Sequence, residues 1–368
     1  MGPFWGPFLL VFVLDKSIQM GYHYTNDIPI GGINIRRNVV FKILDHIQEK
    51  LVLYLPITMI LAIAYGYYFN TSGLKILMPV IIFFMVYPMM VTLRYEELLV
   101  KGNGKLHIVA QVVNFLVFPI MGYGIGRLFF PDNNYIVIGL LLMSLLPTSG
   151  MTISWTGFAN GNVAAAIKMM VVGLILGSVL TPFYLNIFMG ESGGIPFMDI
   201  INEIIKVVFV PMGLGYASQK YLLKKYGRER FQGEFKKKIP LIATLALVGI
   251  VFISTAMRAK VIVANPIMLV KIFLVLTVSY AFSFLIVTLI AKAMFNREDG
   301  IALIYGTVMR NLSIALAIAL SIYSTSGSEV ALIVAVGFVV QIQGAALYLK
   351  ILDKVYRDDN SQLELEVN

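Results

Sequence analysis

The chain has 368 residues, 58% of them apolar and 13% charged, with a mean hydropathy of +0.83 and a formal net charge of +9. Soluble globular chains carry about 25% charged residues, so this composition excludes a soluble enzyme, and the apolar share suffices for about ten helical spans of ~20 residues each. There is no cysteine, which excludes disulfides, thiolate metal sites and thiol nucleophiles.

Residues 1–50 hold one apolar stretch, Pro3–Leu14. It is too short to span and lacks the basic region and small-residue cleavage site of a signal peptide, so a cytoplasmic or interfacial segment is expected there. From residue 51 apolar blocks alternate with short polar breaks, which predicts spans near 51–69, 73–93, 106–130, 134–159, 163–189, 197–219, 239–258, 267–293, 299–322 and 328–352. The blocks are too long and too evenly apolar for the strands of an outer-membrane barrel. An all-helical, ten-span membrane protein is expected, with a polar tail over 353–368.

With the N-terminus inside, twenty Lys and Arg fall on the cytoplasmic side, eight of them between Lys220 and Lys238. Four fall outside: Lys75, Arg127, Arg258 and Lys260. That bias places both termini in the cytoplasm of a multi-pass plasma-membrane protein. The surplus of positive charge is thereby assigned to topology and to anionic lipid headgroups, with no nucleic-acid partner.

Spans four and nine share a pattern. GLLLMSLLPTSGMTISW (139–155) and GIALIYGTVMRNLSIAL (300–316) each begin with Gly and an apolar half, then meet a polar break. Each is followed by a short polar turn, Asn160-Gly161-Asn162 or Thr325-Ser326-Gly327-Ser328, and another helix. Division into 51–190 and 191–352 then gives two copies of five helices, and an odd number of spans inverts the second copy. Matched discontinuous helices in inverted repeats point to a secondary transporter with its site near the bilayer midplane, because irregular backbone at that depth must be buried in protein or line a cavity.

The stretches PTSGMTISWTGFANGN (147–162), VMRNLSIALAIAL (308–320) and YPMMVTLRYEEL (87–98) resemble the bile acid:sodium symporter superfamily, which includes the arsenical-resistance permeases. The resemblance covers roughly residues 50–350. It implies ten helices as two inverted five-helix repeats, a panel and a core domain, and crossed broken helices 4 and 9. The motif at the end of span two, with Trp155, looks closer to the arsenical branch. On the family's landmarks the sodium-ligand positions fall on Thr152, Ile153, Ala166, Met170, Gly306 and Arg310, of which only Thr152 keeps an oxygen ligand for sodium. The arsenical branch's cysteine and carboxylate positions fall on Thr148 and Ile314.

Arg310, in the break of span nine, is the conspicuous replacement. A central Arg costs about 2.5–3.5 kcal/mol on insertion scales, so something must answer it. Carbonyls of the broken helices, Glu203 and Asp199 are structural partners to consider; the functional alternative is a carboxylate or oxyanion gripped by the guanidinium fork. Lys168 is a second cation that either joins Arg310 where the family places sodium or snorkels to the cytoplasm. Asn311, Thr148, Ser149, Thr152, Thr307 and Ser313 complete the candidate substrate site. Asn114, Gln111, Gln341 and Gln343 are expected to hydrogen-bond between helices. His23, His46 and His107 are expected to be solvated.

The expected function is alternating-access transport of a small solute, an organic anion, without the family's usual sodium sites. Arsenite or metalloid efflux is the alternative within the family, and a passive channel or membrane receptor the alternative outside it. No enzyme activity, metal or cofactor is expected. The coupling ion, proton or sodium, and the choice between monomer and homodimer stay open.

Overall fold

The computed structural model describes residues 44–48, 50–99, 102, 104–190, 196–322 and 327–356, and among them every regular element is a helix. Expectations placed on Pro3–Leu14, His23, Thr325, Ser326 and the tail from Arg357 lie outside the described residues. The helices are α1 (Leu51–Tyr68), α2 (Met78–Val91), α3 (Gly104–Phe129), α4 (Asn134–Leu145), α5 (Gly150–Phe158), α6 (Val163–Met189) and α7 (Phe197–Ile204). They continue as α8 (Val210–Arg230), α9 (Lys236–Ala264), α10 (Pro266–Met294), α11 (Arg297–Val308), α12 (Leu312–Ile322) and α13 (Gly327–Val355). Several boundaries differ from expectation: residues 44–48 are already helical, α8 runs to Arg230 rather than 219, α9 covers Lys236–Ala264 rather than 239–258, and α13 runs on to Val355 rather than ending at 352.

Among the described residues, six stretches are long and apolar enough to cross a membrane: Ser72–Val91, Gly104–Phe129, Val163–Met189, Phe197–Ala264, Pro266–Met294 and Gly327–Leu352. Phe197–Ala264 is 68 residues long, more than three times a ~20-residue span, and Gly227 interrupts it with φ +79°, a conformation that favours glycine. Shorter apolar helices cover Leu53–Tyr68, Asn134–Leu145 and Leu312–Ile322. Three helices start on the same device. The side-chain oxygens of Asn133, Asn162 and Asn296 accept from the backbone N–H of Ile136, Ala165 and Asp299, capping α4, α6 and α11.

Helices α1, α2, α8 and α9 pack together, with α9 along α1 and α2 and α8 along α2. Their close approach depends on small residues. A Cβ on Gly66 of α1 would collide with the Ala256 carbonyl of α9, and one on Gly215 of α8 would sit 2.7 Å from the Met90 carbonyl carbon of α2. Overpacking costs about 1–3 kcal/mol even where side chains can yield, and here backbone is struck. Gly66→Leu is therefore expected to lower the thermal midpoint of the purified protein by several degrees, whereas Ile57→Leu on the outward face of α1 should leave it unchanged.

The remaining helices surround α11–α12, with α13 against α12, α10 and α4. An ion pair ties the two groups. Arg258 at the end of α9 lies 3.3 Å from Glu329 at the start of α13 and donates through Nε to Ser328 Oγ at 2.8 Å. Glu329 also accepts from Asn133 Nδ2 at 2.8 Å.

Candidate functional site

Pro147 supplies no N–H for helix continuation and biases Leu146 away from helical angles; Leu146 stands at φ −109°, ψ 83°. Thr148 follows in the left-handed region at φ +58°. In the second break Met309 is extended. The two interruptions meet and pair: Thr148 N–H donates to the Met309 carbonyl at 2.8 Å, and Asn311 N–H donates to the Leu146 carbonyl at 2.8 Å. Pro147 and Arg310 thus face each other as an antiparallel bridge. Each break satisfies backbone that the other leaves without a helical partner.

A third element closes the crossing. Gln341 of α13 accepts from Arg310 N–H at 2.7 Å and donates to the Arg310 carbonyl at 3.1 Å. It also accepts from the Tyr280 hydroxyl of α10 at 2.9 Å. Both backbone groups of Arg310 are therefore engaged, and its side chain is free to face elsewhere.

That side chain is 4% exposed. Nη1 donates to Asn114 Oδ1 at 3.1 Å, and Cζ lies 3.9 Å from the centroid of the Phe118 ring, a cation–π distance. Guanidinium has only donors, so the Asn114 oxygen must face it and the Asn114 amide nitrogen faces away. Asn114 Nδ2 and Arg310 Nη2 are both buried without a hydrogen-bond partner. Among the described residues no carboxylate lies within ion-pairing distance of Arg310; Glu203, one expected partner, instead pairs with Lys206 at 2.8 Å.

Helix α3 reaches this grip through a π turn at Val113–Val117. A wider turn brings residues four or five apart onto one side, which aims Asn114 and Phe118 together at the guanidinium. The Tyr184 hydroxyl of α6 donates to the Phe115 carbonyl within that turn.

Beside the guanidinium lies an open, mostly apolar pocket between α3, α4 and α10. Phe118, Met121, Leu140, Met143, Leu276 and Val308 form its apolar wall. Its serine hydroxyls are already engaged: Ser144 with Leu141, Ser279 with Val275 and Ser283 with the Ser279 carbonyl. Tyr280 is held by Gln341. Arg310 is the charged group among the lining residues, and it keeps an unused donor.

The other expected site residues divide. Thr148, Ser149, Thr152 and Asn311 gather at the crossing. Thr148 Oγ1 is hydrogen-bonded to the Pro147 carbonyl at 2.7 Å, Thr152 Oγ1 accepts from Ser149 N–H at 3.2 Å, and Asn311 Oδ1 accepts from Ile314 N–H at 3.3 Å. Ser149 Oγ is buried without a partner. Thr307 is turned back onto the Leu303 carbonyl at 2.8 Å, and Ser313 is half-buried on α12.

Lys168 is half-buried on α6, within electrostatic reach of His107. The α6 residues packed on the break are Gly173 and Gly177; a Cβ on Gly173 would lie 3.0 Å from Pro147 Cγ. Lys168 stands five residues before Gly173, about 7.5 Å along the helix. Gln343 is exposed, and His107, expected to be solvated, is half-buried with Nδ1 sealed from solvent.

Apolar spans around two paired helix breaks define a multi-pass membrane protein of the transporter class. Residues 79–265 match the Sodium Bile acid symporter family, and the chain belongs to it. Its members are transporters, not enzymes. An Arsenical-resistance protein Acr3 from Alkaliphilus metalliredigens is 26% identical over 282 residues, covering 72% of this chain and 78% of that protein. An uncharacterized transporter of Synechocystis is 24% identical over 306 residues, covering 77% and 79%. A sodium/bile acid cotransporter 7 from Danio rerio is 24% identical over 220 residues, covering 58% and 64%.

Proposed function

We propose that this protein is a secondary transporter of a small organic anion in the plasma membrane, working by alternating access with both termini cytoplasmic. The observation that carries the reading is the Arg310 guanidinium. It is buried without a carboxylate partner, and its Nη2 and the neighbouring Asn114 Nδ2 are two donors without acceptors. A charge held at membrane depth in that way calls for an anionic ligand. The adjoining apolar wall favours a compact anion with an apolar body over a heavily hydroxylated one.

Ten spans arranged as inverted repeats, 51–190 and 191–352, are part of the same proposal. Reciprocal contacts support it. Asn133 caps α4 and meets Glu329 at the start of α13, while Asn162 caps α6 and meets Asp299 near the start of α11 at 2.7 Å. The substrate set is Arg310, Asn114, Ser149, Asn311, Thr148, Thr152 and Ser313, with Arg310 standing as a fixed cation where the family resemblance places sodium. Lys168 acts toward the Asn162–Asp299 end rather than at the crossing.

Arsenite efflux is the second reading, favoured by the relatives named as arsenical-resistance proteins. The test is a thermal-shift screen of purified protein against monocarboxylates, dicarboxylates, phosphate and arsenite, followed by counterflow in liposomes with and without sodium. A sodium-independent shift and exchange with one carboxylate class is the expected result. A response to arsenite alone would establish the second reading, and sodium-dependent carboxylate exchange would remove the role given to Arg310.

A further inference from the structure

The approach to Arg310 is unlike on its two sides. Towards the Phe129 end of α3 lies the open apolar cavity. Towards the Gly104 end the half-buried side chains of Gln111 and His107 turn polar atoms inward. Both amide atoms of Gln111, Nε2 and Oε1, are sealed without a hydrogen-bond partner, and so is His107 Nδ1. With Asn114 these residues follow at intervals of four and three on one helix, so they rise on one face in steps of about 6 and 4.5 Å.

This row is distinct from the outward one. Ile108, Val112, Leu116 and Ile120 form the exposed face of α3, with Ile108 at 66% exposure. The Gly104 half of α3 packs on α11 and α6, and the charges of Lys168 on α6 and Asp299 on α11 reach His107. If the Gln111 position served packing alone, a leucine would serve it better, because a buried amide with two donors and two acceptor pairs unmatched is destabilising. Buried polar groups are ordinarily matched by protein or by water, so an amide without a protein partner here is matched by water, in another conformation or by a ligand.

We propose that the Gly104 half of α3 is the second half-path to Arg310, shut in this conformation, with Gln111 as an intermediate binding station for the anion and His107 beside its entrance. The proposal rests on the anion reading of Arg310 and extends it. Gln111 Nε2 and Asn114 Nδ2 are donors about one turn apart along α3, and Asn114 in turn meets Arg310 Nη1 at 3.1 Å, so an anion leaving Gln111 finds the next donors within reach. The apolar cavity serves the other side, and the crossing of the two breaks separates the two half-paths.

Because the chain contains no cysteine, single cysteines report without background. The experiment measures labelling rates of Gln111→Cys, His107→Cys and Ile108→Cys in the full-length protein in liposomes, each checked for a monodisperse gel-filtration peak. The probes are an anionic sulfonatoethyl and a cationic trimethylammonioethyl methanethiosulfonate. Ile108 lies three residues from Gln111 at nearly the same depth and supplies the bilayer-facing reference. Gln111→Cys and His107→Cys are expected to react with the anionic probe at least tenfold faster than Ile108→Cys. Adding Arg310→Gln should slow the anionic probe at Gln111→Cys about tenfold and leave the cationic one no slower.

Rates at Gln111→Cys and His107→Cys equal to that at Ile108→Cys, with both probes, would overturn the half-path. That outcome leaves the anion reading to its own thermal-shift test. Fast labelling that Arg310→Gln does not alter would support the half-path and remove the anion reading instead.

Discussion

Arg310→Gln is expected to abolish saturable anion binding while leaving the protein at least as stable as before. In an anion complex the guanidinium would be a desolvated, charge-assisted partner, and truncating one member of such a pair costs about 2–5 kcal/mol. At 1.4 kcal/mol per decade that weakens binding by about 30-fold to several thousand-fold. Stability should move the other way. Among the described residues the buried cation is answered by Asn114 and the Phe118 face, and replacing an uncompensated buried charge by a neutral group removes a desolvation penalty. A purely structural arginine would show the opposite pair of effects, a lower thermal midpoint with transport retained. Arg310→Lys separates charge from shape. It keeps the positive charge but loses the planar fork and the stacking on Phe118, so binding weaker than wild type and stronger than Arg310→Gln is expected. Isothermal titration with the carboxylate found in the screen, alongside thermal melts of all three proteins, checks the ordering.

Gln341→Leu should have the largest effect on folding. The substitution keeps the volume close and deletes three hydrogen bonds at once, to the Arg310 N–H, the Arg310 carbonyl and the Tyr280 hydroxyl. All three partners are buried, and each orphaned group costs about 1–3 kcal/mol. Together they approach the whole stability of an ordinary domain, about 5–15 kcal/mol. Loss of the monodisperse gel-filtration peak, or a midpoint lower by more than ten degrees, is the expected outcome. Gln341→Glu retains acceptors for the Arg310 N–H and for Tyr280, so it should fold; its carboxylate would then stand near the guanidinium and weaken anion binding.

How much of this was legible before the structure varies with the range of the interaction. The helices followed from runs of apolar residues, a local property. The breaks followed from Pro147, Gly150 and the polar run from Thr307 to Asn311, also local. Arg310 stood out because a cation in an apolar span is rare. Its surroundings were not legible: Asn114 lies 196 positions away and is aimed by a π turn that no residue type announces. Gln341 was expected only to bond between helices, and nothing local says that it clamps the break. Thr307 looked like a site residue by its place in the break, yet it folds back on its own helix, a common use of Thr at such depth. Lys168 was open between joining Arg310 and snorkelling to the cytoplasm, and the letters do not say that the glycines meeting the break lie further along the same helix. Gln111 and His107 were unremarkable as letters, and their significance comes from burial without a partner.

The reciprocal pairing of Leu146, Thr148, Met309 and Asn311 has a consequence for biosynthesis. When the first half of the chain enters the bilayer, the Thr148 amide and the Leu146 carbonyl have no partner, since Met309 and Asn311 are still more than 150 residues from synthesis. Bare backbone groups at that depth are costly, so the early half is obliged to wait, either held by the insertion machinery or by a water defect, until its late counterpart arrives. Neither half is a self-sufficient membrane protein. A gene cut between the codons for Gly190 and Pro196 should give two fragments that are degraded when made singly and rescued when made together, which turns the crossing at the centre of the molecule into a checkpoint for its assembly.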